Sequence, residues 1–563
     1  MTDASQAHDA ARTPTALDAI AEQWVTTLAE LDPSVAIWIG IPGRYEEFAD
    51  HSPEGIAAQV DAARAVIAQV QATDPVDEID EVTKADLLSE LGLEVESYEA
   101  GLFKRDVNVI ASPAQGIRDI FDLMTTETVE DWATIAGRMR NLPGAVDGYI
   151  ETLRLGIADG QTPARRQVTE VLEQLQRNAS AEGFFTTFAN EAAPAEGELP
   201  ESLKGDLRAG AEAARAAYGR LAEFFEGELG PKATEQDAVG REHYALESRR
   251  FLGAVIDLDE TYEWGIDELQ RMVAEQTAIA HEIKPGASVE EAVAMLDADP
   301  ARKLHGTKAL QEWMQKLSDT AVEELSRSHF DIPEPVKRLE CMIAPTQDGG
   351  IYYTSPSDDF SRAGRMWWSV PEGVTEFNTW RETTTVYHEG VPGHHLQIGQ
   401  AVYNRAKLNT WRRQIAGTSG HAEGWALYAE RLMQELGYLD DPGDRLGMLD
   451  GQRMRAARVV LDIGVHLGKS RLDGTGTWDF DYAFDFMKRN VNMEEPFVRF
   501  EVNRYFGWPG QAPSYKVGQR IWEQLRDEVK NREGAAFSIK DFHRRALDLG
   551  GVGLDTLRSA LLR

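Results

Sequence analysis

Apolar residues recur three and four positions apart over residues 16–31, 54–72, 79–102, 129–157 and 164–178, the spacing that lines one face of an α-helix. Several of these runs open on a helix start signal, such as Ser52-Pro53-Glu54 or Thr162-Pro163. Ala, Glu, Leu, Gln and Arg, all good helix formers, fill many of the positions between. Residues 190–202, NEAAPAEGELPES, are polar and carry Pro and Gly, so a surface loop is expected there. Helical spacing resumes at 202–227, 259–283 and 299–326.

The period changes near Asp331-Ile332-Pro333-Glu334-Pro335. Residues 337–370 contain RLECMIAP, GGIYYTSP and GRMWWSVP, short apolar runs bounded by Gly, Pro and Asp that read as strands and turns. After Pro371 the helical period returns and holds to the C-terminus. The expected fold is therefore mainly α, a large helical body with a small antiparallel sheet just before the helical stretch that follows Pro371. The change of texture divides the chain into an N-terminal helical region, 1–335, and a second helical region with the small sheet, 336–563, expected to pack as one continuous unit. No fixed-period repeat and no low-complexity tract is present.

Charge narrows the partners. The 563 residues include 94 Asp+Glu against 58 Lys+Arg, a net charge of −36, which argues against nucleic acid or an anionic membrane as a main partner. Acidic runs such as Asp77-Glu78-Ile79-Asp80-Glu81 read as solvated surface. The single cysteine, Cys341, excludes an intramolecular disulfide and a Cys-rich metal site, and reads as a buried strand residue. The N-terminal stretch MTDASQAHDAARTPTALDAIAEQW lacks the basic and apolar regions of a secretory signal, and no apolar window is long enough to span a membrane. A soluble, cytoplasmic protein is the expectation.

The chemistry concentrates after the strands. Of 12 histidines, four (His388, His394, His395 and His421) fall within 34 residues, far more than an even scatter would place there. Imidazoles with nearby carboxylates are what a zinc ion requires: neutral nitrogen ligands, an oxygen ligand, and an acid/base group beside its water. The common H-E-x-x-H spelling puts two His on one helical face, but here His388-Glu389-Gly390-Val391-Pro392-Gly393 precedes His394 and His395. In an unbroken helix the sixth residue on points about 120° away, and the seventh lies about 10 Å further along the axis. Pro392 and Gly393 permit a bend that folds one of these His back toward His388. Whether His394 or His395 does so is left open by the spacing. A control is His281-Glu282, which no further His follows and which reads as a helix C-terminus.

Downstream, Ser419-Gly420-His421-Ala422-Glu423-Gly424-Trp425 opens a strongly helical run, and Glu423 lies 29 residues past His394. A third oxygen ligand from a separate helix suits a zinc site, with Glu430, two turns on, as its outer support. Asp462 and His466 are four residues apart on one helix, so an Asp-oriented His466 is a candidate oxyanion donor. In Arg504-Tyr505-Phe506-Gly507-Trp508-Pro509-Gly510-Gln511-Ala512-Pro513-Ser514-Tyr515, Arg504 is a candidate for gripping a C-terminal carboxylate and Tyr515 for donating to a carbonyl.

The fragments HEGVPGHHLQ and EGWALYAERL resemble the hallmark motifs of the bacterial family called domain of unknown function 885. The segments YEWG, RMRAARVVLDIGVH and EVNRYFGWPGQAPSYKVG extend that resemblance over nearly the whole chain. It implies a helical fold similar to thermostable zinc carboxypeptidases, which use H-E-x-G-H and a downstream Glu. This chain departs from that spelling by two extra residues between Glu389 and Gly393.

The resulting expectation is a zinc peptidase, a carboxypeptidase or oligopeptidase, with 336–563 as its catalytic region, an active-site cleft, the sheet just before the metal-binding helix, and one Zn2+ per chain. His388, His394 (or His395) and Glu423 bind the metal, Glu389 is the general base, and His466, Tyr515 and Arg504 assist. The expected partner is a peptide or small-molecule amide substrate, which strand addition along Tyr352-Tyr353 would present; a homodimer is left open. Two rivals remain: a di-iron carboxylate protein, which lacks its paired Glu-x-x-His motifs here, and an inactive binding protein on a peptidase scaffold.

Overall fold

The computed structural model describes residues 12–345 and 350–563. The periodic runs form helices close to where the pattern puts them: Ala16–Leu31, Pro53–Ala72, Glu78–Glu99, Val129–Ala158, Arg165–Ala179, Glu201–Phe224 and Leu258–Ile283. Their starts are chemically marked. Thr15 and Thr128 accept from the backbone N–H three residues on, and Asp18 and Asp131 reach back, which satisfies two otherwise open donors at each end. The run at 299–326 begins late. A short turn and strand β1 (Lys303–His305) come first, and the helix Thr307–Ser328 starts only after Gly306.

The strands need a correction. Besides β1 there are β2 (Leu339–Ile343), β3 (Ile351–Thr354), β4 (Gly364–Trp368) and β5 (Glu376–Asn378). β1 and β5 form a separate antiparallel pair. The other three are ordered β2-β4-β3, with β2 parallel and β3 antiparallel to β4, so the sheet is mixed and not antiparallel. Alternation told which side chains face inward: Gly364, Met366 and Trp368 of β4 are buried. It carries no information on strand order: β2 lies against the helix Thr307–Ser328, where Gln311 and Gln315 donate to Cys341 O (2.8 Å) and Leu339 O (2.9 Å), and β4 pairs with both β2 and β3.

Three large apolar clusters hold the molecule. One gathers residues of the 107–233 span. A second joins the first helices to Trp411. The largest joins Val82 to residues between Tyr244 and Leu561 and includes Trp380, Tyr387, Trp425, Tyr428 and Trp522. The helix Thr379–Glu389 is wedged between the largest of these and a smaller cluster under the sheet: Val386 packs with Leu339, Cys341 and Met366, and Tyr387 into the largest core. Burying those two side chains contributes about 1.5–3 kcal/mol each and fixes the helix that ends in His388-Glu389.

The acidic run at 77–81 is only partly solvated. Asp77 caps its helix, and Asp80, 1% exposed, accepts from Arg12, the Thr15 hydroxyl (2.7 Å) and the Val76 N–H (3.1 Å). Cys341 is buried in β2 beside Ser318, and burial pushes its thiol up to about 11. His281-Glu282 sits at a helix end, with Glu282 paired to Arg445. Among the described residues no helix is long and apolar enough to cross a membrane.

Candidate metal centre

The helix carrying His388 ends at Glu389, and a new one, His394–Tyr403, begins after four intervening residues. A four-residue turn, with a cis Val391–Pro392 bond, replaces the expected kink. The Gly390 N–H donates to Val386 O (2.9 Å) and the Gly393 N–H to Tyr387 O (3.0 Å), so the turn closes back on the helix it leaves. Gly393 is required by this approach: a β-carbon there would lie 2.5 Å from the carbonyl carbon of His388 and 2.6 Å from Tyr387 O. The Trp425 indole N–H donates to Pro392 O (2.9 Å) and Gly393 O (3.2 Å), which ties the turn to the helix Ser419–Glu435 two residues past Glu423.

The outcome is convergence. The rings of His388 and His394 meet edge to face with centroids 4.9 Å apart. Glu423 Oε2 lies 3.4 Å from His388 Nε2 and 3.6 Å from His394 Nε2, and the three potential ligand atoms all fall within 4.8 Å of one another. Ligands on a tetrahedral shell at 2.0–2.2 Å sit about 3.3–3.6 Å apart, so two imidazole nitrogens and one carboxylate oxygen are spaced as a zinc-type cation needs them. Glu423 Oε2 is buried and, among the described residues, makes no hydrogen bond, which leaves a carboxylate oxygen open to a cation. The residues fit a metal ion.

His395 does not join them. Its Nδ1 meets the Tyr353 hydroxyl on β3 (2.9 Å) and its Nε2 meets Val336 O (2.7 Å), so both nitrogens are engaged on the opposite side of the turn. His388 Nδ1 lies 2.8 Å from Glu430 Oε1. A carboxylate only accepts, so Nδ1 carries the proton and Nε2 faces Glu423. Burial alone would pull the His388 imidazole down, but Glu423 and Glu430 outweigh it and push it up to about 10. Between two carboxylates and without a cation, a proton takes up the positive charge. Glu389 is buried beside the cluster, and burial lifts its carboxyl above the usual range while His394 and His388 pull it back.

Tyr515 is placed near the cluster: burial raises its phenol, with Glu423 adding to the effect, and Arg455 and Arg458 lie 5.8 and 5.2 Å from its ring. Arg504 is engaged elsewhere. It pairs with Glu501 (3.1 Å) and donates to Gln511 (2.6 Å), so its charge is already shared. Arg455 and Arg504 each have a buried Nε with no hydrogen bond among the described residues, but Arg504 is ion-paired with Glu501 whereas Arg455, beside the Tyr515 ring, has no ion pair among those residues.

His466 is not at the site. It lies 14 residues beyond Gln452, the neighbour of Glu430, which is about 21 Å along the same helix. It stacks on Tyr244 and meets Tyr505 O (2.9 Å), and burial pulls it down to about 4. Nor does Asp462 orient it, since Asp462 Oδ1 accepts from the Tyr244 hydroxyl (2.7 Å) and the Gly510 N–H (2.9 Å). Spacing of four brought the two onto one face, but their hydrogen-bond partners come from other segments, and neither Asp462 Oδ2 nor His466 Nδ1 makes a hydrogen bond among the described residues. The expected cleft is also not the large cavity: a space of about 600 Å³ is lined by Glu94, Asp106, His243, Glu247, Arg250 and Trp508, and by none of His388, Glu389, His394 or Glu423.

A family model described as "Bacterial protein of unknown function (DUF885)" matches residues 33–561. The chain belongs to that family. No curated relative matches it. Among solved structures it is similar to "the putative lipoprotein from Colwellia psychrerythraea", with 23% identity, TM-score 0.83, and 97% of this chain and 98% of that one covered. It is also similar to "a putative lipoprotein of unknown function from Shewanella oneidensis", with 16% identity, TM-score 0.75 and coverage of 98% and 100%. Pyrococcus furiosus carboxypeptidase in an Apo-Mg form matches at 12% identity and TM-score 0.42, with 98% and 97% covered. The first two likenesses show that this DUF885 member shares a whole-chain helical fold with them. They also overturn the cytoplasmic expectation, because proteins of that fold carry lipoprotein names. The missing signal pattern was too thin a basis for a compartment.

Proposed function

We propose that this DUF885 protein is a metal-dependent peptidase that takes one zinc ion and hydrolyses peptide bonds. One observation carries the reading: His388, His394 and Glu423 converge around a buried, unpartnered carboxylate oxygen, with a second buried carboxylate, Glu389, directly after His388 in the chain. When bound, such an ion supplies Lewis acidity toward water and a carbonyl oxygen. Glu389 takes the proton from the attacking water, and its raised affinity for protons suits it to return that proton to the leaving amine. Tyr515 donates its hydroxyl to the oxyanion that develops on the scissile carbonyl. Arg455 offers an uncommitted guanidinium to the free C-terminal carboxylate of a peptide, the role the chain pattern alone assigned to Arg504.

Glu389→Gln tests the mechanism. The amide keeps the shape but cannot take a proton, so turnover should fall by several orders of magnitude while zinc content stays at one per chain. Elemental analysis and cleavage of a peptide pool, each with and without chelator, supply the two measurements. A zinc-loaded Glu389→Gln protein that cleaves peptides like the parent refutes the role of Glu389. One zinc per chain with no cleavage of any peptide refutes the peptidase reading and leaves a binding protein.

A further inference from the structure

A chain of hydrogen bonds leads from the ligand His388 away from the candidate metal position and through four helices. Glu430 takes His388 Nδ1 with one oxygen (2.8 Å) and Gln452 Nε2 with the other (2.9 Å). Gln452 Oε1 accepts from Lys516 Nζ (2.6 Å), which also meets Gln519 Oε1 (2.9 Å) and Glu268 Oε1 (3.0 Å). Glu268 is in turn held by two bonds from Arg271, whose side chain reaches solvent. Glu430, Gln452 and Lys516 are 2%, 0% and 1% exposed.

A fully buried ammonium is costly unless paired, and an apolar side chain of similar volume would fill the same space at less cost. What the ammonium does here follows from donor and acceptor rules. Lys has three donors and no acceptor, so it admits only the carbonyl oxygen of Gln452. That choice turns the Gln452 amino group toward Glu430. A glutamine free to flip would instead set its oxygen against a carboxylate. With Oε2 of Glu430 held by Gln452, Oε1 is left to accept from His388, which keeps the proton on Nδ1 and aims Nε2 at Glu423 and His394.

We propose that Lys516 is a positioning residue: acting through Gln452, it fixes the orientation of Glu430 and thereby the tautomer and ring direction of the metal ligand His388. This rests on the metal-site reading and adds to it a specific outer support on a different helix.

The test uses the full chain, with Zn2+ and Co2+ affinity measured by chelator competition and the visible spectrum of the Co2+ form recorded. Lys516→Met is expected to weaken both affinities 10–100-fold and to shift the Co2+ bands. Lys516→Arg, still a donor-only cation, should stay closer to the parent. In a Glu430→Gln background, Lys516→Met should cause no further loss, because the support it orients is already gone. Gln452→Leu leaves the Lys516–Glu268 pair in place and should reproduce the weakening, which keeps the question decidable if Lys516→Met fails to fold. Parent-like affinity and spectrum in a folded Lys516→Met or Gln452→Leu protein overturn the proposal, as do losses that multiply in the double variant. A parent that binds neither cation overturns the metal reading along with it; a parent that binds while the variants match it overturns this inference alone.

Discussion

Gly393→Ala is the sharpest perturbation of the candidate site, because it adds one methyl and removes nothing. In the present turn that methyl would sit 2.5 Å from the His388 carbonyl carbon and 2.6 Å from Tyr387 O. Carbon contacts relax at about 3.5–4.0 Å, so the turn must open by roughly 1 Å. These two atoms and the His388 carbonyl oxygen, which is nearer still, are all backbone and cannot rotate aside. The opening separates His388 from His394, whereas metal–ligand distances tolerate only about 0.2 Å. The expected result is a fall in Zn2+ affinity of about 100-fold or more. Stability should drop by a few kcal/mol, from the strained backbone and from disturbing the single Trp425 N–H shared between two carbonyls of the turn, at about 1 kcal/mol. Gly219→Ala is the control: it lies inside the helix Glu201–Phe224 with nothing within 4 Å of the added carbon. It should leave zinc affinity alone and stabilise by about 0.5–1 kcal/mol. Chelator competition gives the affinities and denaturant unfolding gives the stabilities. A Gly393→Ala protein that holds zinc as tightly as the parent would show that the turn does not set the ligand geometry.

Metal uptake should release protons. His388 is held at about 10 in the metal-free protein, so at pH 7–8 it is protonated and must lose a proton to bind a cation. Titration calorimetry in buffers of different ionisation enthalpy should give about one proton per ion, with affinity rising about tenfold per pH unit toward 10; zero release at pH 7.5 contradicts the assignment. Acid should destabilise the fold. Burial pulls His466 to about 4 and His543 to about 3, so from the unfolded value near 6.5 downward the unfolded chain binds more protons. Their contribution is complete above about pH 6.5, and each group then removes about 1.4 kcal/mol per pH unit as the pH falls toward its folded value. A midpoint in urea that does not move between pH 7 and 5 speaks against it. Arg455→Gln should cut kcat/KM for peptides with a free C-terminus by at least tenfold and spare amidated ones; equal losses on both assign Arg455 another task.

Local pattern was enough for the helices, because a stripe of apolar residues and a capping Thr or Asp act over one or two turns. It was enough, too, for the density of imidazoles after the strands and for the interruption at Pro392-Gly393. It misled where a residue's neighbours come from distant segments. Asp462 and His466 share a helical face, yet the hydrogen bonds they make go to Tyr244, Tyr505 and Gly510 and not to each other. His395 looked equal to His394 until Tyr353 and Val336 occupied it from the sheet side. Trp425 carried a faint signal, a Trp two residues after an acid at a helix start, but Gln452 and Lys516 carried none.

The linear order of residues thus specified where helices begin and end and which side chains are available for chemistry, since those depend on interactions between residues a few positions apart. Packing chose among them. Which imidazole faces Glu423, which strand lies in the middle of the sheet and which arginine stays uncommitted depend on contacts between residues tens to hundreds of positions apart, and such contacts leave no period in the chain.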